Sequence, residues 1–445
     1  MRHTRPLRRG LLKPIPFFAI VLGTLFLAAS GDCVAPPMST VTDEMLGDRP
    51  LAQLTESQQN VAFEDQGTII VFHGFGCAKA DQTGRQVTLK VEQSIDVPSY
   101  AKKATVFLNG WRLEYVRGGR HVDHHVRLLK TAIRRVTFEG QTLRWEAIGE
   151  LSDGDREDTY VWCYHFTAFA WEPARINIAV DDQDGARGSD DTIQGEKFFA
   201  APNGFGDSAG ASFLRFVVDP AGPSGKPVAI LPRGFMFVFG DNDHHLLQIA
   251  YNVDHSERFI DGSRKYFNQA KDHTPIENHN VSRVDSEFAT WETAVIFKDD
   301  DQHRDYSFGE LVSVLSGPDL GLIQPPFFSE VVRPNCWLFC AATLKGRTKT
   351  EEFVIENIPF EYAIPVLTGW ELRYVTRDQH VGTAGVWIDE AHYSKDPVTQ
   401  LGRLRYTLSS VLVDSDGFPD FASRHRVTVV GMRPLSSEPP IRLTR

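Results

Sequence analysis

Gly110-Trp111-Arg112-Leu113-Glu114-Tyr115, Gly234-Phe235-Met236-Phe237-Val238-Phe239 and Gly369-Trp370-Glu371-Leu372-Arg373-Tyr374 are one motif written three times. A glycine precedes a bulky ring, and every second residue after it is large and apolar. Alternation with period two puts those side chains on one face of a strand. Trp111, Leu113 and Tyr115 therefore belong to a buried face, with Arg112 and Glu114 on the other. Core packing is the first reading for Trp111 and Trp370, ahead of a sugar-stacking role.

The repetition extends downstream. His121, His245 and His380 each stand eleven residues after their glycine, and each is followed by an aliphatic residue: Val122, Leu246, Val381. Trp145, Trp291 and Tyr406 each precede an aspartate by eight residues, namely Asp153, Asp299 and Asp414. Further acids follow at Asp155 and Asp158, at Asp301 and Asp305, and at Asp416 and Asp420, and then an aromatic at Tyr160, Tyr306 and Phe421. Two spacings held in the same order three times define internal repeats. Between the two motifs, copy two is longer near 253–282, which reads as a loop inserted on a common core.

The rest of the chain agrees. Short alternating runs such as Val87-x-Leu89-x-Val91 and Val427-x-Val429 are broken by Gly, Pro, Asn and Asp, and helical periods are almost absent. The run Val106-Phe107-Leu108 ends at Asn109-Gly110. This pattern predicts an all-β chain of three tandem antiparallel β-sandwich domains. They span 67–182, 194–317 and 326–436, with 181–225 leading into the second. Fusion raises the effective concentration of each copy for the others, and closed symmetry buries matched surfaces. The three copies could thus pack as a pseudo-threefold ring with the histidines at equivalent positions. Beads on a string is the competing arrangement.

Residues 1–30 read as a signal peptide. Arg2, Arg5, Arg8, Arg9 and Lys13 precede the apolar stretch Ile15 to Ala29, and small residues follow. Arg8-Arg9 resembles a twin-arginine signal. A secreted or periplasmic location follows, with no membrane span in the mature chain. Residues 31–66 are polar and read as a linker. Five cysteines remain after cleavage, an odd number, so some can pair and at least one cannot do so within the chain. The net charge of -11 argues against nucleic acid as a partner.

Three candidate chemistries stand out. A strand histidine is ordinarily hydrogen-bonded or solvated, so a structural role comes first for His121, His245 and His380; convergence on one metal is the alternative, because neutral imidazole is a common ligand. The nine aspartates Asp153, Asp155, Asp158, Asp299, Asp301, Asp305, Asp414, Asp416 and Asp420 suit tight turns first, and Ca2+ second. No other cofactor is implied. Gly206-Asp207-Ser208-Ala209-Gly210 fits a nucleophile elbow, and His73-Gly74-Phe75-Gly76 resembles an esterase oxyanion loop. However, Ser208 precedes a strand-like run, Phe213 to Val218, where the elbow requires a helix. Gly74-Phe75-Gly76 and Gly204-Phe205-Gly206 also occupy matching places in two copies, so the repeat accounts for both.

The stretch Ala132-Ile133-Arg134-Arg135-Val136-Thr137-Phe138-Glu139-Gly140, with Leu143 and Trp145 after it, is similar to the V-T-x-x-G segment of H-type lectin domains. Phe353-Val354-Ile355, Pro359 and Ile364-Pro365-Val366-Leu367 resemble that family's apolar strand and proline-bearing crossing. Copies two and three lack the V-T-x-x-G step. The resemblance implies a compact β-sandwich, a trimeric assembly and carbohydrate binding, and it assigns no sugar-contacting residue here. The chain is thus expected to be an exported, non-catalytic binding protein for carbohydrate or adhesion, partnered by carbohydrate or a surface protein. A structural or protein-interaction module of the cell surface, and a serine hydrolase using Ser208, are the alternatives.

Overall fold

The computed structural model describes residues 59–80, 88–115, 125–153, 159–182, 199–200, 211–218, 228–239, 245–253, 289–299, 306–323, 329–332, 348–374, 380–414, 421–435 and 442–444. Strands account for 81% of them, and none is helical. The all-β expectation is borne out.

Repeat one and the segment before it contribute β1 (Gln59–Asp65), β2 (Ile69–Lys79), β3 (Leu89–Asp96), β4 (Lys103–Tyr115), β5 (Leu128–Glu139), β6 (Thr142–Ser152) and β7 (Tyr160–Trp171). Then come β8 (Ala179–Asp182), β9 (Phe199–Ala200), β10 (Ala211–Val218), β11 (Val228–Phe239), β12 (Gln248–Asn252), β13 (Ala289–Lys298) and β14 (Tyr306–Ser316). Repeat three and its flanks supply β15 (Leu320–Ile323), β16 (Ser329–Val332), β17 (Lys349–Ile358), β18 (Phe360–Tyr374), β19 (Val381–Lys395), β20 (Gly402–Asp414), β21 (Phe421–Pro434) and β22 (Arg442–Thr444). The motif strands are β4, β11 and β18.

The strands form three antiparallel sheets, and each sheet draws on two repeats. One runs β1-β2-β7-β4-β19-β20-β17-β22, joining repeats one and three. A second runs β10-β13-β12-β18-β21-β15, joining two and three. The third runs β3-β6-β5-β11-β14-β8, joining one and two. Each repeat is therefore split between two sheets, and the three seams close a cycle. Every repeat completes its neighbours' sheets, which removes six exposed sheet edges that would otherwise invite pairing with other chains.

The seams are equivalent residue by residue. Gly110 pairs with Trp387, Gly234 with Ala132, and Gly369 with Asn252. At the far end of each seam, Glu114 pairs with Thr383, Val238 with Leu128, and Arg373 with Gln248. At two of the three seams the glycine has a steric reason. A Cβ on Gly110 would lie 2.1 Å from the Trp387 Cβ, and one on Gly234 would lie 2.3 Å from the Ala132 Cβ. These glycines let a strand of one repeat approach the next.

Just before each glycine the motif strand slips register against its partner within the repeat, between Leu108 and Gly110, Pro232 and Gly234, and Leu367 and Gly369. Asn109-Gly110 is thus a bulge inside β4 and not the end of a strand. The extra residue of a bulge leaves the ladder and re-aims its side chain. Asn109 uses this freedom to reach another repeat: Nδ2 donates to Thr167 Oγ1 at 2.8 Å and to the Pro365 carbonyl at 3.1 Å, and the Leu367 N–H donates to Oδ1 at 2.9 Å.

Downstream of the bulges the three ring residues meet. Trp111, Phe235 and Trp370 have centroid separations of 5.6, 5.1 and 5.1 Å, a near-equilateral triangle with one side from each repeat pair. Such tilted and edge-on contacts are the favoured aromatic geometries. Leu113, Phe237 and Leu372 continue the same buried faces and belong to the same apolar core. Upstream, Phe107, Leu231 and Val366 form part of a second core, again one residue from each repeat.

The opposite face of β4 is buried as well. Arg112 is 5% exposed, pairs with Glu114 at 3.4 Å and lies over the Trp387 ring. Burial pulls its guanidinium below the ordinary value. Period-two alternation marks two faces but does not say that a neighbouring repeat covers the second.

Residues 59–65, read as linker, form an edge strand paired antiparallel with β2. The turn between them places Gly67 at a φ of 78°, where its N–H bonds Asp65 Oδ1 at 2.8 Å. Cys77 and Cys163 face one another across β2 and β7 and form a disulfide. Among the described residues no helix is long and apolar enough to cross a membrane.

Candidate metal centre

At one end of the axis through the aromatic triangle, His125, His245 and His380 come together. Each offers one ring nitrogen, and the three nitrogens lie within 4.8 Å of one another. Ring centroids are 4.5 Å apart for His125 and His245, 5.3 Å for His125 and His380, and 4.2 Å for His245 and His380. All three are half-buried.

Backbone register puts them there. Each histidine lies three residues before the far-end position of its seam, which is Leu128, Gln248 and Thr383 respectively. The aliphatic residues that follow, Val126, Leu246 and Val381, are at most 2% exposed and seat the histidine backbone on the core. Neighbouring repeats pin these segments further. The Phe239 N–H donates to the Arg127 carbonyl at 2.8 Å, and the Tyr374 N–H donates to the Leu247 carbonyl at 3.0 Å. The Tyr115 hydroxyl donates to the His125 carbonyl at 2.8 Å. The imidazoles therefore project from positions held by strands on both sides.

Two members of the expected histidine set, His245 and His380, stand in this cluster. His121 lies outside the described residues, and the place equivalent to His245 and His380 is filled by His125. The interval from the glycine is four residues longer in copy one, so equal spacing from Gly110 lands on His121 instead. A sequence signal for the correct alignment exists. Asp123-His124-His125-Val126, Asp243-His244-His245-Leu246 and Asp378-Gln379-His380-Val381 share the pattern Asp, any residue, His, aliphatic. Loop length varies freely between repeats because closing a longer loop costs little, whereas the residues leading into a strand are bound by its register.

Of the nine aspartates, three are described. Asp153, Asp299 and Asp414 are 1%, 1% and 5% exposed. They end or follow β6, β13 and β20 at the histidine end of the sheets: the Arg127 N–H donates to the carbonyl of Ser152, and the Leu247 N–H to that of Lys298, each the residue before the aspartate. Asp155, Asp158, Asp301, Asp305, Asp416 and Asp420 lie outside the described residues.

Ser208 also lies outside them. The stretch His73-Gly74-Phe75-Gly76 runs mid-strand in β2, hydrogen-bonded between β1 and β7, with His73 Nδ1 2.9 Å from Thr167 Oγ1. It is ladder and not a loop able to cradle an oxyanion. β10 covers Phe213 to Val218, as the alternation there predicts.

No protein-family model, curated protein or solved structure matches the chain.

Proposed function

We propose that the chain is an exported, non-catalytic binding protein for carbohydrate, built as a trimer within one polypeptide. The observation that carries this reading is the closed cycle of shared sheets, in which three repeats with one motif occupy three equivalent places. The H-type lectin resemblance implies a trimer of small β-sandwiches, and a fused cycle satisfies that symmetry without assembly from separate subunits. Three repeats carried in one chain also suit multivalent capture, where each engaged site raises the effective concentration for the next. The pairing of His73-Gly74-Phe75-Gly76 within a sheet ladder favours this reading over the hydrolase alternative.

The test is a glycan array probed with the purified chain, with and without Ca2+. Saturable binding to a defined glycan class is expected. Silence across the array, together with co-purification of a stoichiometric protein partner, would replace this reading with that of a protein-interaction module.

A further inference from the structure

The histidine triangle carries an inference independent of the carbohydrate reading. We propose that His125, His245 and His380 bind a single divalent transition-metal ion, Zn2+ foremost, one imidazole nitrogen from each repeat, so that the ion staples the three repeats where their strands converge.

Three observations support it. The first is geometry. Tetrahedral Zn2+ with Zn–N bonds of about 2.0–2.1 Å holds its nitrogens about 3.3 Å apart. The three ring nitrogens already lie within 4.8 Å. The widest pair therefore needs to close by at most roughly 1.5 Å, which rotation about the side-chain torsions of half-buried histidines supplies.

The second is the pattern of variation between repeats. At other positions of the same seams the repeats differ: Asn109, Arg233 and Thr368 at the bulge, Ala132, Asn252 and Trp387 opposite the glycine, Leu128, Gln248 and Thr383 at the far end. At these positions pairing tolerates substitution, while the seam glycine is kept where a Cβ would clash. At the apex all three are histidine, although the loop leading to it changes length. No close approach of the kind that keeps the glycine requires an imidazole at these half-buried positions.

The third is donor chemistry. An all-imidazole set suits Zn2+, Cu2+, Ni2+ or Co2+, and it disfavours Ca2+ and Mg2+, which take oxygen ligands. Three neutral imidazoles leave the ion with its full double charge and a fourth position open to water or an anion. The Tyr115 hydroxyl on the His125 carbonyl and the seam hydrogen bonds hold the ligand backbones in place, limiting the entropy lost on closure.

The experiment is isothermal titration of the chelator-stripped chain with ZnCl2, CoCl2 and CaCl2. One equivalent of Zn2+ is expected to bind and to raise the Tm, Ca2+ to do neither, and Co2+ to give visible d–d absorption of a tetrahedral nitrogen site. His245→Ala should weaken Zn2+ at least about tenfold, an effect that loss of outer-shell partners alone already reaches. His392→Ala, on an exposed histidine paired with Glu64, should leave binding unchanged. Should His245→Ala not fold, the Co2+ spectrum of the wild-type chain decides. Absence of saturable Zn2+ binding, a Co2+ spectrum of an octahedral aquo ion, or equal loss in His392→Ala would overturn the proposal.

Discussion

Replacing Gly234 with alanine tests whether the seams between repeats hold the body together. A Cβ there would lie 2.3 Å from the Ala132 Cβ, 2.6 Å from its Cα and 2.7 Å from the Thr131 carbonyl oxygen. None of these atoms sits at the end of a flexible side chain. Carbon atoms pack at about 3.5–4.0 Å, so β5 and β11 must part locally by more than about 1 Å. Overpacking of this kind costs about 1–3 kcal/mol. The seam pairs five residues on each side, from Gly234 with Ala132 to Val238 with Leu128. Losing the two hydrogen bonds nearest the clash adds about 1 kcal/mol each. Together Gly234→Ala should destabilise the chain by about 3–5 kcal/mol, read by urea unfolding at neutral pH. Gly309→Ala is the matched control in the same sheet, because its added Cβ meets nothing closer than Met236 Cε at 3.7 Å. It should fall within about 1 kcal/mol of wild type, on the stabilising side if the unfolded chain dominates. A Gly234→Ala chain within about 0.5 kcal/mol of wild type, the range of ordinary surface changes, would refute the close-approach account. Equal losses in both variants would do the same.

Asn109→Ala removes the polar bridge from the bulge of repeat one to repeat three, leaving the buried Leu367 N–H and Pro365 carbonyl without that partner; a loss of about 2–4 kcal/mol is expected in denaturant titrations. His165 is 4% exposed, stacks on Trp387 and is held down to about 3, by burial first and then by the Arg112 charge. Between that value and the ordinary 6.5 the unfolded chain binds a proton that the native chain does not. This contribution is thus complete above pH 6.5 and declines as pH falls, by up to about 1.4 kcal/mol per pH unit. Unfolding free energies measured from pH 7 to pH 5 should fall more steeply in the wild type than in His165→Asn, and parallel slopes would count against it. Reducing the Cys77–Cys163 bond, which closes a separation of 86 residues, should lower stability by about 4–5 kcal/mol in the chain-entropy picture, measured as the difference in unfolding free energy with and without a reductant.

Much of this is legible in the sequence. Alternation through Trp111, Leu113 and Tyr115 marks a buried strand face, and its recurrence at Phe235 and Trp370 marks three copies; the aromatic triangle confirms which side was core. His245 and His380 were equivalent by spacing, and they are neighbours in space. The candidate site was legible in two of its three members. His125 was obscured because spacing was counted from the glycine across a loop, and loops absorb insertions that strands do not. β1 was missed because a short edge strand with Phe63 67% exposed shows little of the one-sided burial that alternation reports.

By itself the sequence determined the all-β class, the triplication and which face of each motif strand is apolar, because these depend on local period and on composition. Only the tertiary structure decided that Gly110 pairs with Trp387 while Gly234 pairs with Ala132, that three repeats share three sheets, and that the apex histidine of repeat one is His125. Local pattern records that a face is covered but not what covers it. The partner of a strand is chosen by the steric fit of residues a hundred or more positions apart, and here that fit draws on bare glycines and on the bulge beside each.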